Sequence, residues 1–454
     1  MNIISSLFSG SGGIHPNDSK KATANQATVI PPIPPLLAVS LSQHLGAPSK
    51  PLVKKGDAVL KGQSIADSNG FVSSRVHAPT SGKVVFVGPR MTASGKVATV
   101  VEIETDGLDQ PFISEPPAGD WTTLPPRELI ERIHQAGIIG MGGAGFPTHV
   151  KLSPPPGKTI QTLIVNGAEC EPFLTADHRL MLEQAESIIA GIGVLQHIFK
   201  DAQVRIAIED NKPDALAALA RAADKLTGDV QIVRLRTAYP QGAEKQLIYS
   251  ITGYEVPSGG LPMDVQALVE NVATAQAIGE AVIRGLPLIE RLLTVTGPAL
   301  AQPRNIRALI GTPFSDLIAF CGGPRGPIGR LICGGPLMGI AQSSLAGAVT
   351  KTTSGLLVLP PEREALFSSM PCISCGRCVK ACPMRLLPST LSEASETEQD
   401  AIAEEFNVLD CIECGCCAYV CPAHRPMVQH MRRAKVRVQS LRKQRDAQKK
   451  KQTS

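Results

Sequence analysis

Cys372-Ile373-Ser374-Cys375-Gly376-Arg377-Cys378-Val379-Lys380-Ala381-Cys382-Pro383 returns in the same spacing as Cys411-Ile412-Glu413-Cys414-Gly415-Cys416-Cys417-Ala418-Tyr419-Val420-Cys421-Pro422. In each copy three cysteines at intervals of three wrap one corner of a metal centre, and a fourth is followed by a proline that turns the chain away. Gly376 and Gly415 keep side-chain bulk low there, so backbone N–H groups reach the ligand sulfurs. Zinc is the alternative to iron–sulfur, but zinc needs four ligands per site and its paired Cys-x2-Cys elements do not usually end in Cys-x3-Cys-Pro. The chain has twelve cysteines in 454 residues, too few for a disulfide scaffold, and their crowding points to metal. Cys416 lies outside the ligand register; Cys170, Cys321 and Cys333 are isolated and read as small buried hydrophobes.

The doubled run resembles the bacterial two-cluster ferredoxins, in which each motif supplies three local thiolates and lends its fourth to the other cluster. That resemblance implies two [4Fe-4S] clusters. One would sit on Cys372, Cys375, Cys378 and Cys421, the other on Cys411, Cys414, Cys417 and Cys382. It places an α-helical two-cluster ferredoxin-like domain over residues 362–430, followed by a basic tail over 431–454.

Outward from this region, composition sets the frame. The chain is 43% hydrophobic and 19% charged with a mean hydropathy of +0.06, ordinary for a folded globular protein, and its length suggests about three domains. No apolar stretch reaches the 18 or so residues a spanning helix needs. The first 13 residues hold no Lys or Arg, so a secretory leader is not expected. The net charge of +5 is a local effect: residues 431–451 hold ten Lys/Arg and one acid, which leaves −4 for the rest. A nucleic-acid partner is not expected, and contact with a membrane surface or partner loops would fall to the tail.

Residues 1–35 read as an arm, Ser/Gly/Asn-rich and closed by the stiff Pro31-Pro32-Ile33-Pro34-Pro35 run. Residues 36–115 show short β-rich pieces punctuated by glycine. They resemble the biotinyl/lipoyl family through Val53-Lys54-Lys55-Gly56-Asp57 and Ser81-Gly82-Lys83-Val84, which implies a barrel-sandwich hybrid. The family's carrier lysine falls in a turn that here reads Asp67-Ser68-Asn69-Gly70, so a structural role is the expectation. Residues 120–291 alternate helix and strand patterns: an amphipathic helix with Leu129, Ile130 and Ile133, a strand at Leu163-Ile164-Val165, a helix from Asp177, and a strand at Val204–Ile208. A Rossmann-like layer follows. Residues 292–358 return to short strands with glycine turns and read as a small β-grasp module. The fold class is therefore multidomain α/β plus β.

Gly140-Met141-Gly142-Gly143-Ala144-Gly145-Phe146-Pro147-Thr148 does not open a helix after a first strand, so it is not the ordinary dinucleotide fingerprint. Its bare backbone would still admit a phosphate or a flat ring, with Lys151 as a counter-charge. Asn166-Gly167-Ala168-Glu169-Cys170-Glu171-Pro172 sits at the carboxyl end of an apolar strand, where α/β folds bind ligands. The loop, Lys151, this segment, Gly242-Ala243-Glu244 and Glu270-Asn271-Val272-x-Thr274 follow the order found in the NADH-oxidising flavoprotein subunit of respiratory complex I. Together with the flanking modules, nearly the whole chain resembles the C-subunit family of Rnf/Rsx ion-translocating electron transport complexes.

That resemblance implies non-covalent FMN lined by Gly140, Gly142, Gly143, Lys151, Asn166, Glu169, Asn271 and Thr274. Phe146, Glu171 and Glu244 would face the nicotinamide of NAD(H), the substrate. Met141, Ala168 and Glu270 replace an arginine, an aspartate and an asparagine of the complex I pattern. The implied role is a peripheral electron-transfer subunit on the cytoplasmic face of the bacterial inner membrane, bound to other subunits of the complex, with ferredoxin or flavodoxin as candidate partners. A flavin-free relay scaffold that docks ferredoxin and a soluble NADH-dependent iron–sulfur reductase are the rival readings.

Overall fold

The computed structural model describes residues 3–6, 8, 10–112, 119–361 and 370–452. The expected domain edges at 1, 115, 362 and 454 lie outside the described residues. The chain forms two compact units, the first from the described residues of Met1–Ser5, Asp18–Leu235 and Gln266–Glu364, the second from those of Ser6–Asn17, Arg236–Val265 and Ala365–Ser454.

At the centre of the first unit lies an all-parallel five-stranded sheet in the order Ile3–Ser5, Val230–Leu235, Gln203–Glu209, Thr162–Gly167, Ala267–Asn271. Leu163, Ile164 and Val165 are fully buried, as a parallel strand covered on both faces requires. From Thr162–Gly167 the chain moves outward to the next two strands and then crosses back to the other side of it. The order therefore reverses between Thr162–Gly167 and Ala267–Asn271. Open α/β sheets bind ligands outside the strand carboxyl ends at such a reversal.

Residues 36–105 form two small antiparallel sheets, one of Leu36–Ser40, Val97–Thr105, Gly82–Met91 and Ala58–Val59, the other of Lys50–Pro51, Ser64–Asp67 and Val76–His77. In the turn that replaces the carrier site, Ser68 Oγ lies 2.9 Å from His134 Nε2, and the Phe71 carbonyl lies 3.0 Å from His149 Nε2. These two contacts hold the turn against His134 and His149.

A mixed sheet in the order Arg304–Leu309, Glu290–Thr296, Gly355–Leu359, Arg330–Cys333, Ile340–Gln342 packs on the helix Phe314–Phe320. Leu293, Val295, Phe314, Leu317, Leu356 and Val358 form its core, and Cys321 lies within it as expected of a small apolar residue.

Three expectations about boundaries change. The first 35 residues are more than an arm: Ile3–Ser5 pairs in parallel with Ile232–Arg234 and extends the sheet, because a bare edge strand offers unpaired backbone groups. Residues 236–265 leave the Rossmann-like layer and join the second unit, where the Tyr239 hydroxyl donates to the Cys414 carbonyl at 2.7 Å and Gln246 Nε2 donates to the Pro383 carbonyl at 2.9 Å. The basic tail is not separate either. Met427–Gln452 is one helix that buries Met431, Ala434 and Val438 against Leu391, Ala394, Ala403 and Val408. Its cations face acids of the same unit: Arg432 and Lys435 pair with Glu413, Arg433 and Arg437 with Glu398, and Arg442 and Arg445 with Glu404.

Candidate functional site

Asn166 and Asn271 are register partners at the carboxyl ends of the two strands that flank the reversal. Asn271 Oδ1 caps the helix Val272–Arg284 by accepting from Ala273 N at 2.8 Å. Its Nδ2 donates to Asp177 Oδ2 at 2.7 Å and lies 3.4 Å from the Asn166 carbonyl. The glycine loop lies against the same helix start. Met141 N donates to buried Thr274 Oγ1 at 2.9 Å, and the neck is closed by Gly140 N donating to the Phe146 carbonyl at 2.8 Å. Gly142, Gly143 and Ala144 remain exposed, and a Cβ on Gly143 would meet no atom within 4 Å. A flat ring fits over such a surface, so the residues present are compatible with a flavin at the reversal point.

The polar residues are held from below. Glu169 accepts from Asp177 N at 2.7 Å and from His178 N at 3.1 Å, at the start of the helix Ala176–Glu183. Burial, and then the neighbouring Glu169 charge, push the Asp177 carboxyl up to about 6. Lys212, almost wholly buried, donates to the Ala168 carbonyl at 2.6 Å and pairs with Glu209 at 3.2 Å. Arg291 is buried behind the glycine loop and donates to the Met141 carbonyl at 3.0 Å and the Thr353 carbonyl at 3.2 Å. Met141, which stands where the complex I pattern has arginine, is itself buried with its sulfur 3.5 Å from that guanidinium.

Three expected site residues are engaged in ways their spacing does not reveal. The Lys151 ammonium donates to the Val269 carbonyl, on the strand that ends in Asn271. Glu171 reaches the mixed sheet's turn, where its carboxylate accepts from Met338 N at 2.7 Å and Leu337 N at 3.2 Å. Glu244 begins the helix Glu244–Thr252, which belongs to the second unit, whereas the other expected residues of the flavin and nicotinamide site belong to the first. Lys20 also holds this segment, from outside the motifs. It is 7% exposed, and its ammonium donates to the carbonyls of Glu169 at 2.8 Å, Glu171 at 3.0 Å and Leu174. One of two adjacent lysines in a polar arm carries no signal that could have found it.

In the second unit the two cysteine motifs fold alike. Ser374 and Glu413, each two residues past the first cysteine of its motif, have φ of 54° and 56°, and each donates its N–H to that cysteine's sulfur at 3.4 Å. Gly376 and Gly415 follow at φ of 70° and 81°, a conformation that costs glycine nothing. Cys382, Cys411, Cys414 and Cys417 line one recess together with Leu386, Leu391, Val428 and Met431. Cys378 and Cys421 pack together with Met427. Burial pushes the Cys411 thiol up to about 11 and raises the Cys382 and Cys417 thiols as well, so a metal bound by them would displace their protons. The last cysteine of each motif lies beside cysteines of the other, Cys382 by Cys411, Cys414 and Cys417, and Cys421 by Cys378, and such all-cysteine chemistry fits iron–sulfur. Cys416, outside the ligand register, is fully buried, lines the same recess and directs its sulfur to the Tyr239 carbonyl at 3.9 Å.

Known families match this arrangement segment by segment. The RnfC barrel sandwich hybrid domain matches residues 8–108, the Nuo51 FMN-binding domain 133–280, the SLBB domain 292–341 and the 4Fe-4S dicluster domain 366–422. The chain is 50% identical over 428 residues to the C subunit of the proton-translocating ferredoxin:NAD(+) oxidoreductase complex of Clostridium ljungdahlii, spanning 94% of this chain and 93% of that protein. It is 45% identical over 438 residues to the C subunit of the Na(+)-translocating ferredoxin:NAD(+) oxidoreductase complex of Acetobacterium woodii, spanning 96% and 98%. The chain belongs to the C-subunit family of ion-translocating oxidoreductase complexes. A third relative in this family, from Rhodobacter capsulatus, is 44% identical over 435 residues, spanning 95% of this chain and 83% of its own length. The expected resemblance and the multidomain α/β plus β fold class both hold: the β-grasp segment is the SLBB domain, and the glycine loop falls within the FMN-binding domain. Among the described residues, no helix is long and apolar enough to cross a membrane.

Proposed function

We propose that this protein exchanges electrons between NAD(H) and other redox subunits of a membrane-bound, ion-translocating complex, using one non-covalent FMN and two [4Fe-4S] clusters. The observation that carries the reading is the join, in one chain, of an open glycine loop over the sheet's reversal point with two four-cysteine motifs. NADH gives up two electrons as hydride and an iron–sulfur cluster takes one, and a flavin supplies the conversion between them when bound.

The chain's own residues position that chemistry. Gly142 and Gly143 admit the flat ring; Asn166, Asn271 and Glu169 present polar groups at the strand ends; and Lys151 supplies a cation for the phosphate. Thr274 anchors the loop through Met141 N and does not need to touch the ligand itself. Phe146 and Glu171 border the same loop and segment and are assigned to the nicotinamide side, and the family pattern assigns Glu244 to that set as well. The relatives' names support ferredoxin as the distant electron partner. Attachment at the cytoplasmic face of the membrane would come from the other subunits.

Iron, acid-labile sulfide and released-flavin analysis of the intact complex and of this subunit tests the proposal. The expected result is FMN plus iron and sulfide for two [4Fe-4S] clusters on this chain, with the clusters bleached by NADH. Intact clusters with no flavin would favour the relay scaffold, and full NADH-driven turnover without any membrane partner would favour the soluble reductase.

A further inference from the structure

The strap from Asp18 to Val29 crosses the back of the segment that carries Glu169 and Glu171. Its Lys20 ammonium enters an enclosed space where three backbone carbonyls, of Glu169, Glu171 and Leu174, converge on one point. Three carbonyl dipoles aimed at one spot repel one another unless a cation sits there, and an ammonium with three N–H groups satisfies them all. Burying a lysine is otherwise unfavourable, and loss of water lowers its pKa. The segment it grips is not one the chain adopts readily. Glu169 and Phe173 have φ of 46° and 69°, in the left-handed region that non-glycine residues disfavour.

Further contacts hold the strap in place. Phe173 N donates to the Asp18 carbonyl at 2.7 Å, the Thr23 and Thr175 hydroxyls lie 2.7 Å apart, and Asn305 Nδ2 donates to the Thr23 carbonyl at 3.0 Å. On the other side of the same segment Lys212 holds the Ala168 carbonyl. The backbone that orients Glu169 and Glu171 is thus set by two buried ammonium groups, one of them from the amino-terminal strap.

We infer that Lys20 is a positioning residue for NAD(H): by fixing the Glu169, Glu171 and Leu174 carbonyls it sets the backbone from which the Glu171 carboxylate reaches Leu337 N and Met338 N, at the nicotinamide side of the site. This rests on the functional reading above. Misplacement of the Glu171 carboxylate by a fraction of an ångström weakens binding and hydride alignment, while the flavin surface keeps its glycine loop and a Glu169 carboxylate still held by Asp177 N and His178 N.

The test uses the intact complex carrying Lys20→Met, with Lys21→Met at the exposed neighbouring position as control. In Lys20→Met the KM for NADH should rise about tenfold, equivalent to about 1.4 kcal/mol. Its FMN content and its cluster reduction by dithionite should match wild type, and Lys21→Met should change nothing. A wild-type KM in Lys20→Met overturns the inference. So does a parallel loss of FMN and stability with normal KM in the molecules that keep flavin, since that is the mark of a purely structural lysine. Should Lys20→Met fail to assemble, Thr23→Val loosens the same strap without removing a charge: a raised KM supports the role, an unchanged one rejects it. If wild-type complex itself shows no NADH-driven cluster reduction, the functional reading has failed and the inference falls with it. If wild type responds and Lys20→Met equals it, only the Lys20 assignment is lost.

Discussion

The side chain of Asn271 occupies the space a Cβ on Gly142 would need: such an atom would lie 2.9 Å from Asn271 Cβ and 3.3 Å from its Nδ2. Asn271 also caps a helix and holds Asp177, so a side chain at position 142 disturbs the protein before any ligand arrives. At Gly143 a side chain meets only open space. Gly142→Val should therefore lower both FMN content and thermal stability, whereas Gly143→Val should lower FMN occupancy at least about tenfold with the apoprotein melting unchanged. Flavin release and melting curves decide it. Full FMN occupancy in both variants would place the flavin elsewhere.

Cys382 shares its recess with Cys411, Cys414 and Cys417, the three cysteines proposed as local ligands of the second-motif cluster. Cys382→Ala should damage the second-motif cluster more than the first, roughly halving iron and sulfide if one cluster is lost outright. Electron paramagnetic resonance of the reduced protein separates the two centres. Loss confined to the first-motif cluster would reverse the ligand assignment.

Glu171 joins two modules, since its carboxylate accepts from backbone N–H groups of Leu337 and Met338. A glutamine there keeps one acceptor but turns an NH2 toward one of those donors. Glu171→Gln should keep FMN and dithionite-reducible clusters, slow NADH-driven cluster reduction about tenfold, and speed hydrogen exchange at 334–338. Stopped-flow reduction together with amide exchange measures both effects. Unchanged NADH kinetics with accelerated exchange would confine Glu171 to the structural link.

The carboxy-terminal helix separates into a packed part and an exposed part at about Ser440. Ending the chain after Pro426 removes Met427, Met431, Ala434 and Val438 from the core, and iron content should fall with it. Ending it after Ser440 leaves those residues in place and should keep both clusters. The shorter deletion removes Arg442 and Arg445, which already pair with Glu404, so it should change salt-dependent membrane retention little. A marked loss of retention in high-salt washes would show that the distal cations bind lipid or partner.

Asp177 has a predictable pH signature. Its folded pKa, near 6, lies above the usual 3.8, so its contribution to stability is fully present below about 3.8 and is lost as pH rises through about 6. Asp177→Asn should thus be more stable than wild type at about pH 7.5, on the order of 1–3 kcal/mol, with the difference shrinking toward pH 4. Urea unfolding at several pH values checks the slope. A difference that stays constant from pH 4 to 7.5 would show that the carboxyl is not shifted.

The sequence by itself determined the chemistry and the modules. Cysteine spacing carries the cluster reading because ligand geometry is local, repeated within about a dozen residues and hardly dependent on the rest of the fold. The apolar run at Leu163–Val165, followed at once by polar residues, marks a central strand and its ligand-binding end for the same reason: burial on both faces is written into consecutive side chains. Tertiary structure decided which distant groups complete each site. Asn166 and Asn271 become neighbours through strand register, Cys382 meets Cys411 through chain reversal, and Glu171 finds its partners on another module. Lys20 shows the limit most clearly: its role arises from three carbonyls that converge only after folding, and backbone carbonyls are the same at every position in a sequence, so no pattern of side chains can announce where they will meet.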